Sequence, residues 1–288
     1  VLIDVQNLSK NYKTGANELA VLKDLTFQIK RGEAVCLLGS SGAGKSTLLQ
    51  ILGTLDRPST GLVRYLGKNL FEMNDEEMAL FRNSKMGFVF QFHHLIQELT
   101  ALENVMLPAL ISQDDPQLSR EKALHWLQFM GLSQRHDHYP HQLSGGELQR
   151  IAIARALIKN PEVLFADEPT GNLHSDQAKE IMELFRRLNQ EDGVTIVQVT
   201  HSDVNAAYGN RILSLKDGWL EGHGRAPSPA GLAWLSDAFE RHFPGASYQG
   251  VEFSPYLCER FGWERGSVVD YQAVQPYDLI ICQGVLPY

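Results

Sequence analysis

The sequence predicts an α/β protein with a largely parallel sheet, and three observations support this prediction. Short apolar segments typical of buried strands recur at residues 34–38, 163–167 and 194–199. Segments of helix-forming composition separate them, and alternating strands and helices are typical of a parallel sheet covered by helices. A glycine-rich loop at residues 39–46 follows the first of these strands and precedes a helix-forming stretch at 46–52.

The other elements can be placed in chain order. We predict two or three strands around a turn in residues 1–33, a helix over 76–82 and a strand over 86–91. Residues 98–158 are rich in helix-forming segments punctuated by proline and glycine. The sheet is predicted to end near residues 211–220.

Composition limits the possible classes of protein. The 288 residues are 43% hydrophobic and 21% charged, and their net charge of −8 argues against a nucleic-acid surface. We expect no membrane-spanning segment, because no apolar run reaches about 18 residues. We also expect no secretory signal, because the N-terminal residues lack a basic segment followed by an apolar one. The three cysteines form no disulfide or ligand pattern, which favours a reducing cytoplasm.

The loop at 39–46 fits the phosphate-binding pattern G-x-x-x-x-G-K-[ST] in its required place between a strand and a helix. Glycines let backbone N–H groups turn toward a phosphate chain, and the helix N-terminus adds its positive end. In this pattern Lys45 reaches the β- and γ-phosphates and the Ser46 hydroxyl is a Mg²⁺ ligand. The flanking elements disfavour the alternative of a Gly/Ser-rich turn without a ligand. The loop residues are Gly39, Ser40, Ser41, Gly42, Ala43, Gly44, Lys45 and Ser46.

Two acids stand where the apolar strand at 163–167 ends. Ligands of open α/β sheets bind at the carboxyl edge of the strands. Asp167 is suited to hold Mg²⁺, directly or through water, and Glu168 to orient and polarise an attacking water. Solvated acids after a strand are common, so the functional interpretation of this pair depends on the phosphate-binding loop upstream.

Residues 143–150, Leu-Ser-Gly-Gly-Glu-Leu-Gln-Arg, form a third motif. Ser144 and two glycines open a helix predicted from Glu147 to Ile158, which makes a second phosphate-binding nest. Two cradles far apart in one sequence favour a head-to-tail pair of chains, with each nucleotide between the loop of one and Ser144-Gly145-Gly146 of the other. The alternative is an ordinary N-capped helix after a tight turn.

Together these motifs resemble the ATP-binding-cassette (ABC) family of ATPases over residues 1–225. The resemblance implies a P-loop NTPase fold, with a RecA-like parallel sheet core, an antiparallel β subdomain and a helical insert at about 92–160. It also implies ATP and Mg²⁺ as cofactors and a second copy of the chain as partner.

The resemblance assigns roles to three further residues. Tyr12 matches the aromatic that stacks on adenine, Gln91 the glutamine that contacts Mg²⁺, and His201 the histidine that contacts the γ-phosphate. A turn tyrosine and a surface histidine are the alternatives for Tyr12 and His201. The implied catalytic residues are Glu168, His201 and Lys45, the metal ligands Ser46, Gln91 and Asp167, and the nucleotide contacts the loop residues with Tyr12, Thr47, Gln91, Ser144, Gly145, Gly146 and Glu147.

One position departs from the family pattern. His174 ends the segment 171–174, which resembles the loop that crosses the dimer interface and that usually ends in Asp. Because Glu168 is present, we still expect hydrolysis.

Four segments resemble the lipoprotein-releasing branch of the family, namely residues 52–58, 87–95, 100–105 and 171–173. This resemblance implies an ATPase at the cytoplasmic face of the inner membrane, bound to two integral permease subunits and powering release of lipoproteins toward the outer membrane. It also implies that a coupling helix of a permease docks on the first part of the helical insert.

Other functions stay open at this point. Macrolide-type exporters and a cell-division ATPase share most of these motifs. A cassette protein without membrane partners, acting in DNA repair or translation, would need a tandem cassette or a coiled-coil insertion, and the sequence shows neither.

Two histidine groups offer metal sites as an alternative reading. His93 and His94 are adjacent, so their side chains point apart on a helix or strand. His136, His138 and His141 could share a metal, although a solvated loop is the favoured interpretation.

The last segment has a different character. Residues 226–230 read as a linker, and 231–288 resemble an incomplete class I methyltransferase that would bind S-adenosylmethionine. Glu252 matches the acid at the cofactor ribose, Asp270 falls near the acid by adenine, and 277–281 resemble the catalytic strand. The glycine-rich loop is missing, so we expect neither cofactor binding nor methyltransferase activity. A truncated fusion and a small docking module are the remaining interpretations.

Overall fold

The computed structural model describes residues 1–14 and 17–225, which all belong to one unit, Val1–Pro229. The predictions for the linker and the methyltransferase-like segment, including Glu252 and Asp270, lie outside the described residues. The strands are β1 (Ile3–Thr14), β2 (Asn17–Ile29), β3 (Ala34–Leu38), β4 (Thr60–Tyr65), β5 (Lys68–Asn69), β6 (Met86–Phe90), β7 (Val163–Asp167), β8 (Thr195–Thr200), β9 (Arg211–Lys216) and β10 (Trp219–Arg225). The α-helices are α1 (Lys45–Leu52), α2 (Asp75–Lys85), α3 (Ala101–Ile111), α4 (Pro116–Phe129), α5 (Gly145–Leu157), α6 (Ser175–Gln190) and α7 (Asp203–Ala206).

The central sheet has six strands in the order β10-β9-β3-β8-β7-β6. Five of them, β9 through β6, are parallel, and β10 pairs with β9 in the antiparallel sense. The apolar strands β3 and β8 lie side by side with Ala34 opposite Ile196 and Leu38 opposite Thr200. Their carboxyl ends, with that of β7, therefore share one edge. The predicted α/β class with a parallel core is confirmed.

A second, four-stranded sheet has the order β2-β1-β4-β5 and is antiparallel throughout. Residues 1–33 supply two of its strands, at the lower end of the predicted number. Three register shifts interrupt the pairing of β1 with β2 between Val5 and Asn11, so the ribbon is irregular there. This sheet is the antiparallel β subdomain that the family resemblance implies.

The segment between β6 and β7 is helical, as predicted, and side-chain caps fix where its helices begin. Thr100 and Glu103 form a capping box at α3, and Ser144 and Glu147 form another at α5. Such caps satisfy backbone N–H groups that have no partner inside the helix. Because Ser144 is the cap, α5 begins at Gly145, two residues before the predicted start.

Short helices are the elements that the sequence does not reveal. Single 3₁₀ turns occupy Leu70–Glu72, Ser133–Arg135 and Pro140–Gln142, and α7 has four residues. Each is too short to show helical periodicity. The helix predicted over 76–82 is longer in the structure, where Asn74 caps α2.

Two apolar cores lie on the two faces of the central sheet. One joins both sheets and α1 and contains Leu25, Leu48 and Phe165. The other joins α3 to α6 and contains Val105 and the strand neighbour Leu164. Successive strand residues thus enter different cores, as a strand covered on both faces requires. Within the described part of the chain, no helix combines the length and the apolarity needed to cross a bilayer.

Candidate active site

The glycine-rich loop joins β3 to α1 and leaves the start of that helix open. Gly44 is the N-cap of α1 in the left-handed region, with φ 98°, and no side chain caps the helix. A Cβ at Gly44 would lie 2.7 Å from Leu22 Cδ2, and one at Gly39 would clash with the Leu215 carbonyl oxygen. Glycine is therefore required at both positions, and the free N–H groups of the first turn form an anion site.

Lys45 lies across the loop and is 7% exposed. Its ammonium group donates to the carbonyl oxygens of Gly39 at 2.8 Å and of Ser40 at 2.9 Å. These bonds hold a positive charge beside the N-terminus of α1. The Lys45 ammonium group is thus in a suitable place for the predicted contact with the phosphates.

Ser46 and Asp167 join the loop to the end of β7. The Ser46 hydroxyl donates to Asp167 Oδ1 at 3.0 Å. Burial raises the pKa of Asp167, and the neighbouring Glu168 charge adds to this effect, while the Ser46 hydrogen bond opposes it. One carboxylate and one hydroxyl are a donor set that suits Mg²⁺, which keeps several waters and shares substrate phosphates.

Glu168 follows β7 with a left-handed backbone, φ 46°. Two backbone hydrogen bonds hold this conformation, from Glu168 N–H to Val199 O at 3.1 Å and from Gly171 N–H to Glu168 O at 3.0 Å. A non-glycine residue in this region costs on the order of 1 kcal/mol, and such strain is commonly found at active sites. The side chain contacts His201, whose Nδ1 lies 2.9 Å from Glu168 Oε1.

Gln91 lies directly after β6 and pairs with the loop after β7. Its amide donates to Asn172 Oδ1 at 3.1 Å, and the Asn172 amide donates to the Gln91 carbonyl at 3.2 Å. Gly171 makes room for this pair, because a Cβ there would lie 2.8 Å from Gln91 Nε2. The predicted metal contact of Gln91 is thereby tied to the segment that resembles the interface loop.

Many of these residues line one cavity of about 470 Å³ at the carboxyl edge of the central sheet. It brings together most of the site residues predicted from the first half of the chain with Glu168 and His201. The lining consists of Val21, Ser41, Gly42, Gly44, Lys45, Ser46, Thr47, Gln91, Glu168, Gly171 and His201. The predicted site residues outside that lining are Tyr12, Gly39, Ser40, Ala43, Ser144, Gly145, Gly146, Glu147 and Asp167.

Tyr12 lies beside the cavity rather than in its wall. Its hydroxyl donates to Asp56 Oδ2 at 2.7 Å. The ring is 38% exposed, so one part of it is accessible to a ligand. The hydrogen bond to Asp56 connects the predicted base-stacking residue to the segment that follows α1, the helix that starts at the phosphate-binding loop.

Ser144 and Glu147 use their side chains to begin α5. The Ser144 hydroxyl and N–H donate to Glu147 Oε2 at 2.8 and 2.9 Å, and Arg135 Nε donates to Glu147 Oε1 at 3.0 Å. The Ser144 N–H, together with the other hydrogen bonds, lowers the pKa of Glu147. A Cβ at Gly145 would contact Leu173 at 3.6 Å. The predicted second cradle therefore lies beside the segment 171–174.

His174 is the N-cap of α6, and its side chain makes no capping hydrogen bond. Asp at this position would accept a hydrogen bond from a backbone N–H of the first turn. With His in place of the usual Asp, α6 therefore begins without a side-chain cap.

Neither metal alternative at the histidines is supported. Among residues 1–14 and 17–225, no group of three or more His, Cys, Asp or Glu side chains could hold a metal ion. His136 Nδ1 lies 2.8 Å from the Ser133 carbonyl oxygen, and the carbonyls of His93 and His94 accept from Arg155.

Sequence reasoning missed several residues that hold the site together. Asn205 donates from Nδ2 to Thr170 Oγ1 at 2.9 Å, which links the segments after β7 and β8. Gln149 of α5 donates to Pro169 O at 2.7 Å. Their polar character was visible in the sequence, but each partner is at least 20 residues away, so no local signal reveals the pair.

The chain is similar to several known proteins. The family model described as ABC transporter matches residues 22–171. The lipoprotein-releasing system ATP-binding protein LolD of Bdellovibrio bacteriovorus is 53% identical over 212 residues, which are 74% of this chain and 96% of that protein. The macrolide export ATP-binding/permease protein MacB of Syntrophobacter fumaroxidans is 45% identical over 222 residues, 76% of this chain but 31% of MacB.

A solved structure is similar as well. The ATP-binding cassette MJ0796, a dimer in a post-hydrolysis state bound to ADP and Pi, matches with a TM-score of 0.73 and 42% identity. The match covers 79% of this chain and 100% of that chain.

Proposed function

We propose, from the premise that this chain belongs to the ABC transporter family, that it is the ATP-hydrolysing subunit of a lipoprotein-releasing complex. The chain is an ABC ATPase, and ATP is its nucleotide. The observation that supports the finer assignment best is the 53% identity to LolD along 96% of that protein. We further propose that residues 1–225 form the cassette, with a helical subdomain at about 92–160.

The chain's own residues have distinct tasks in hydrolysis. Lys45 and the open N–H groups of α1 bind the β- and γ-phosphates, because both place positive charge at the cavity wall. Ser46, Asp167 and Gln91 would hold Mg²⁺, which when bound neutralises charge on the phosphate oxygens.

Glu168 is proposed to orient the attacking water and to accept its proton. The left-handed turn and the two backbone hydrogen bonds direct its carboxylate into the cavity. His201, 2.9 Å away, fixes that carboxylate and faces the same cavity, where it can contact the γ-phosphate.

Self-association is supported by the solved dimers of related cassettes. We propose the head-to-tail arrangement, in which Ser144, Gly145, Gly146 and Glu147 of one chain complete the cavity of the other. The support is that these residues begin α5 outside the cavity lining of their own chain.

We propose that integral permease subunits of the inner membrane dock on the first part of the helical insert, which makes this chain peripheral at the cytoplasmic face. Phe92, next to Gln91, is 66% exposed and Ile111 at the end of α3 is 68% exposed. Both side chains lie in the segment between β6 and α4, where the family resemblance expects the permease to dock.

A copurification experiment tests the lipoprotein-releasing assignment. The chain is expected to capture two integral membrane proteins, and the complex in proteoliposomes is expected to release an acylated lipoprotein to a soluble acceptor when ATP and Mg²⁺ are added. The matched Lys45→Ala complex should assemble but release nothing. ATP hydrolysis without lipoprotein release would contradict this assignment and leave the ATPase intact.

The similarity to MacB favours one second candidate, a subunit of a macrolide-type exporter. MacB carries its permease in the same polypeptide, and this chain spans 31% of it. Recovery of a complex that exports a macrolide, with no effect on lipoproteins, would select this alternative.

A further inference from the structure

Asp56 connects the two ends of the proposed nucleotide site. It lies four residues after α1, the helix that starts in the phosphate-binding loop, and it accepts the Tyr12 hydroxyl at 2.7 Å through Oδ2. The hydroxyl edge of the Tyr12 ring is thus fixed to the segment that follows α1.

Lys10 uses the other oxygen of the same carboxylate. Its ammonium group donates to Asp56 Oδ1 at 2.7 Å and to the Arg57 carbonyl at 2.7 Å. The same ammonium nitrogen lies over the Tyr12 ring, 4.7 Å from its centroid. Because Lys10 is 9% exposed, this charge is largely shielded from water and its position is well defined.

Lys10 and Asp56 hold the Tyr12 side chain, one from a ring face and the other from the hydroxyl. The Lys10 ammonium lies over one ring face and Asp56 accepts from the hydroxyl, while Tyr12 as a residue stays 38% exposed. An aromatic ring that is already ordered loses less conformational entropy when a planar base stacks on it.

We propose that Asp56 and Lys10 are positioning residues for nucleotide recognition: they fix Tyr12 so that the adenine base stacks on the ring face opposite the Lys10 ammonium. This inference rests on the proposed function, which gives Tyr12 its stacking role. Its consequence is a contribution to affinity that depends on the base and not on the phosphates.

The test measures binding of ATP and of inorganic tripolyphosphate, each with Mg²⁺, by calorimetry. The full chain with Glu168→Gln serves as the parent, so that ATP is not consumed. Tyr12→Phe keeps the ring and the Lys10–Asp56 pair but removes the anchored hydroxyl. Asp56→Ala removes the anchor itself. Asp75→Ala is the control, since this exposed carboxylate pairs with the neighbouring Arg57 at 2.9 Å.

Tyr12→Phe and Asp56→Ala are each expected to weaken ATP binding about 3- to 10-fold, the range for a side chain that must be ordered on binding. Tripolyphosphate binding should stay at the parent value, and Asp75→Ala should change neither ligand. The double variant should bind ATP no more weakly than the weaker single variant, because both changes break the same Tyr12–Asp56 hydrogen bond.

Two results would overturn the inference while the proposed function stands. One is an unchanged ratio of ATP to tripolyphosphate affinity in Tyr12→Phe, and the other is full additivity in the double variant. If the parent bound no ATP, the proposed function itself would fail. The two failures are therefore distinguishable.

Discussion

Lys45, Glu168 and His201 line one cavity at the edge of the central sheet, whereas Ser144 and Gly145 begin α5 outside that lining. The first region is assembled within a single chain, because three parallel strands end at the same edge. In the second region the side chains only cap their own helix and bind Arg135. We infer that one chain supplies the residues that act on the phosphates, and that a second copy supplies the residues that close the site.

The largest expected effect is in the first region, the cavity assembled within one chain. Glu168→Gln is expected to lower ATP turnover by about 10²- to 10⁴-fold, the usual contribution of a general base. It should also trap an ATP-bound dimer, because the phosphate contacts are retained. Steady-state phosphate release and light scattering measure the two effects.

The matched control for this variant is Glu180→Gln, an exposed carboxylate of α6 that pairs with Arg150. It should leave turnover unchanged. Hydrolysis at the parent rate by Glu168→Gln would show that the base has been misassigned.

A smaller effect is expected where the segments after β7 and β8 are joined. Asn205→Ala removes the hydrogen bond to Thr170, which is 7% exposed, and loosens the segment that carries His201. We expect kcat to fall about 10-fold with little change in KM, because misplacement of a catalytic group acts on the chemical step.

Two variants of the acceptor sharpen this test. Thr170→Ser keeps the hydroxyl and should retain the parent kcat, while Thr170→Val should behave like Asn205→Ala. Equal activity of the Ser and Val variants would contradict a positioning role for this bond.

The smallest expected effect concerns His174, in the segment 171–174 that lies beside the start of α5. His174→Asp introduces a capping acceptor at α6 and should stabilise the fold by about 1 kcal/mol, or roughly 2–4 °C in Tm. His174→Ala should leave Tm close to the parent value, because the histidine makes no capping hydrogen bond. A lower Tm for His174→Asp in a thermal melt would disprove this account of the cap.

The sequence predicted the parts of the molecule that depend on local pattern. Apolar runs located β3, β7 and β8, and the Gly39–Ser46 spacing located the loop, because strands and phosphate-binding turns have local signatures. Glu168 was located by the strand that precedes it and His201 by the family resemblance, but their contact at 2.9 Å was not predicted.

Long-range pairs could not be predicted in the same way. Tyr12 meets Asp56 across 44 residues and Gln91 meets Asn172 across 81, and both pairs depend on strand register and loop geometry. The short α7 and the 3₁₀ turns carry too few residues for a periodic signal. Tertiary packing, rather than local propensity, decides these features.

Complementation between two inactive chains tests the shared site most directly. Lys45→Ala disables the phosphate-binding cavity of its own chain, and Ser144→Arg blocks the region that we assign to the partner's site. Each variant alone should therefore be inactive. When the two are mixed, each head-to-tail heterodimer contains one intact site and one doubly disabled site, and ATPase activity should reappear in proportion to heterodimer formation. If the mixture stays inactive although heterodimers form, the two regions do not meet across a seam between chains.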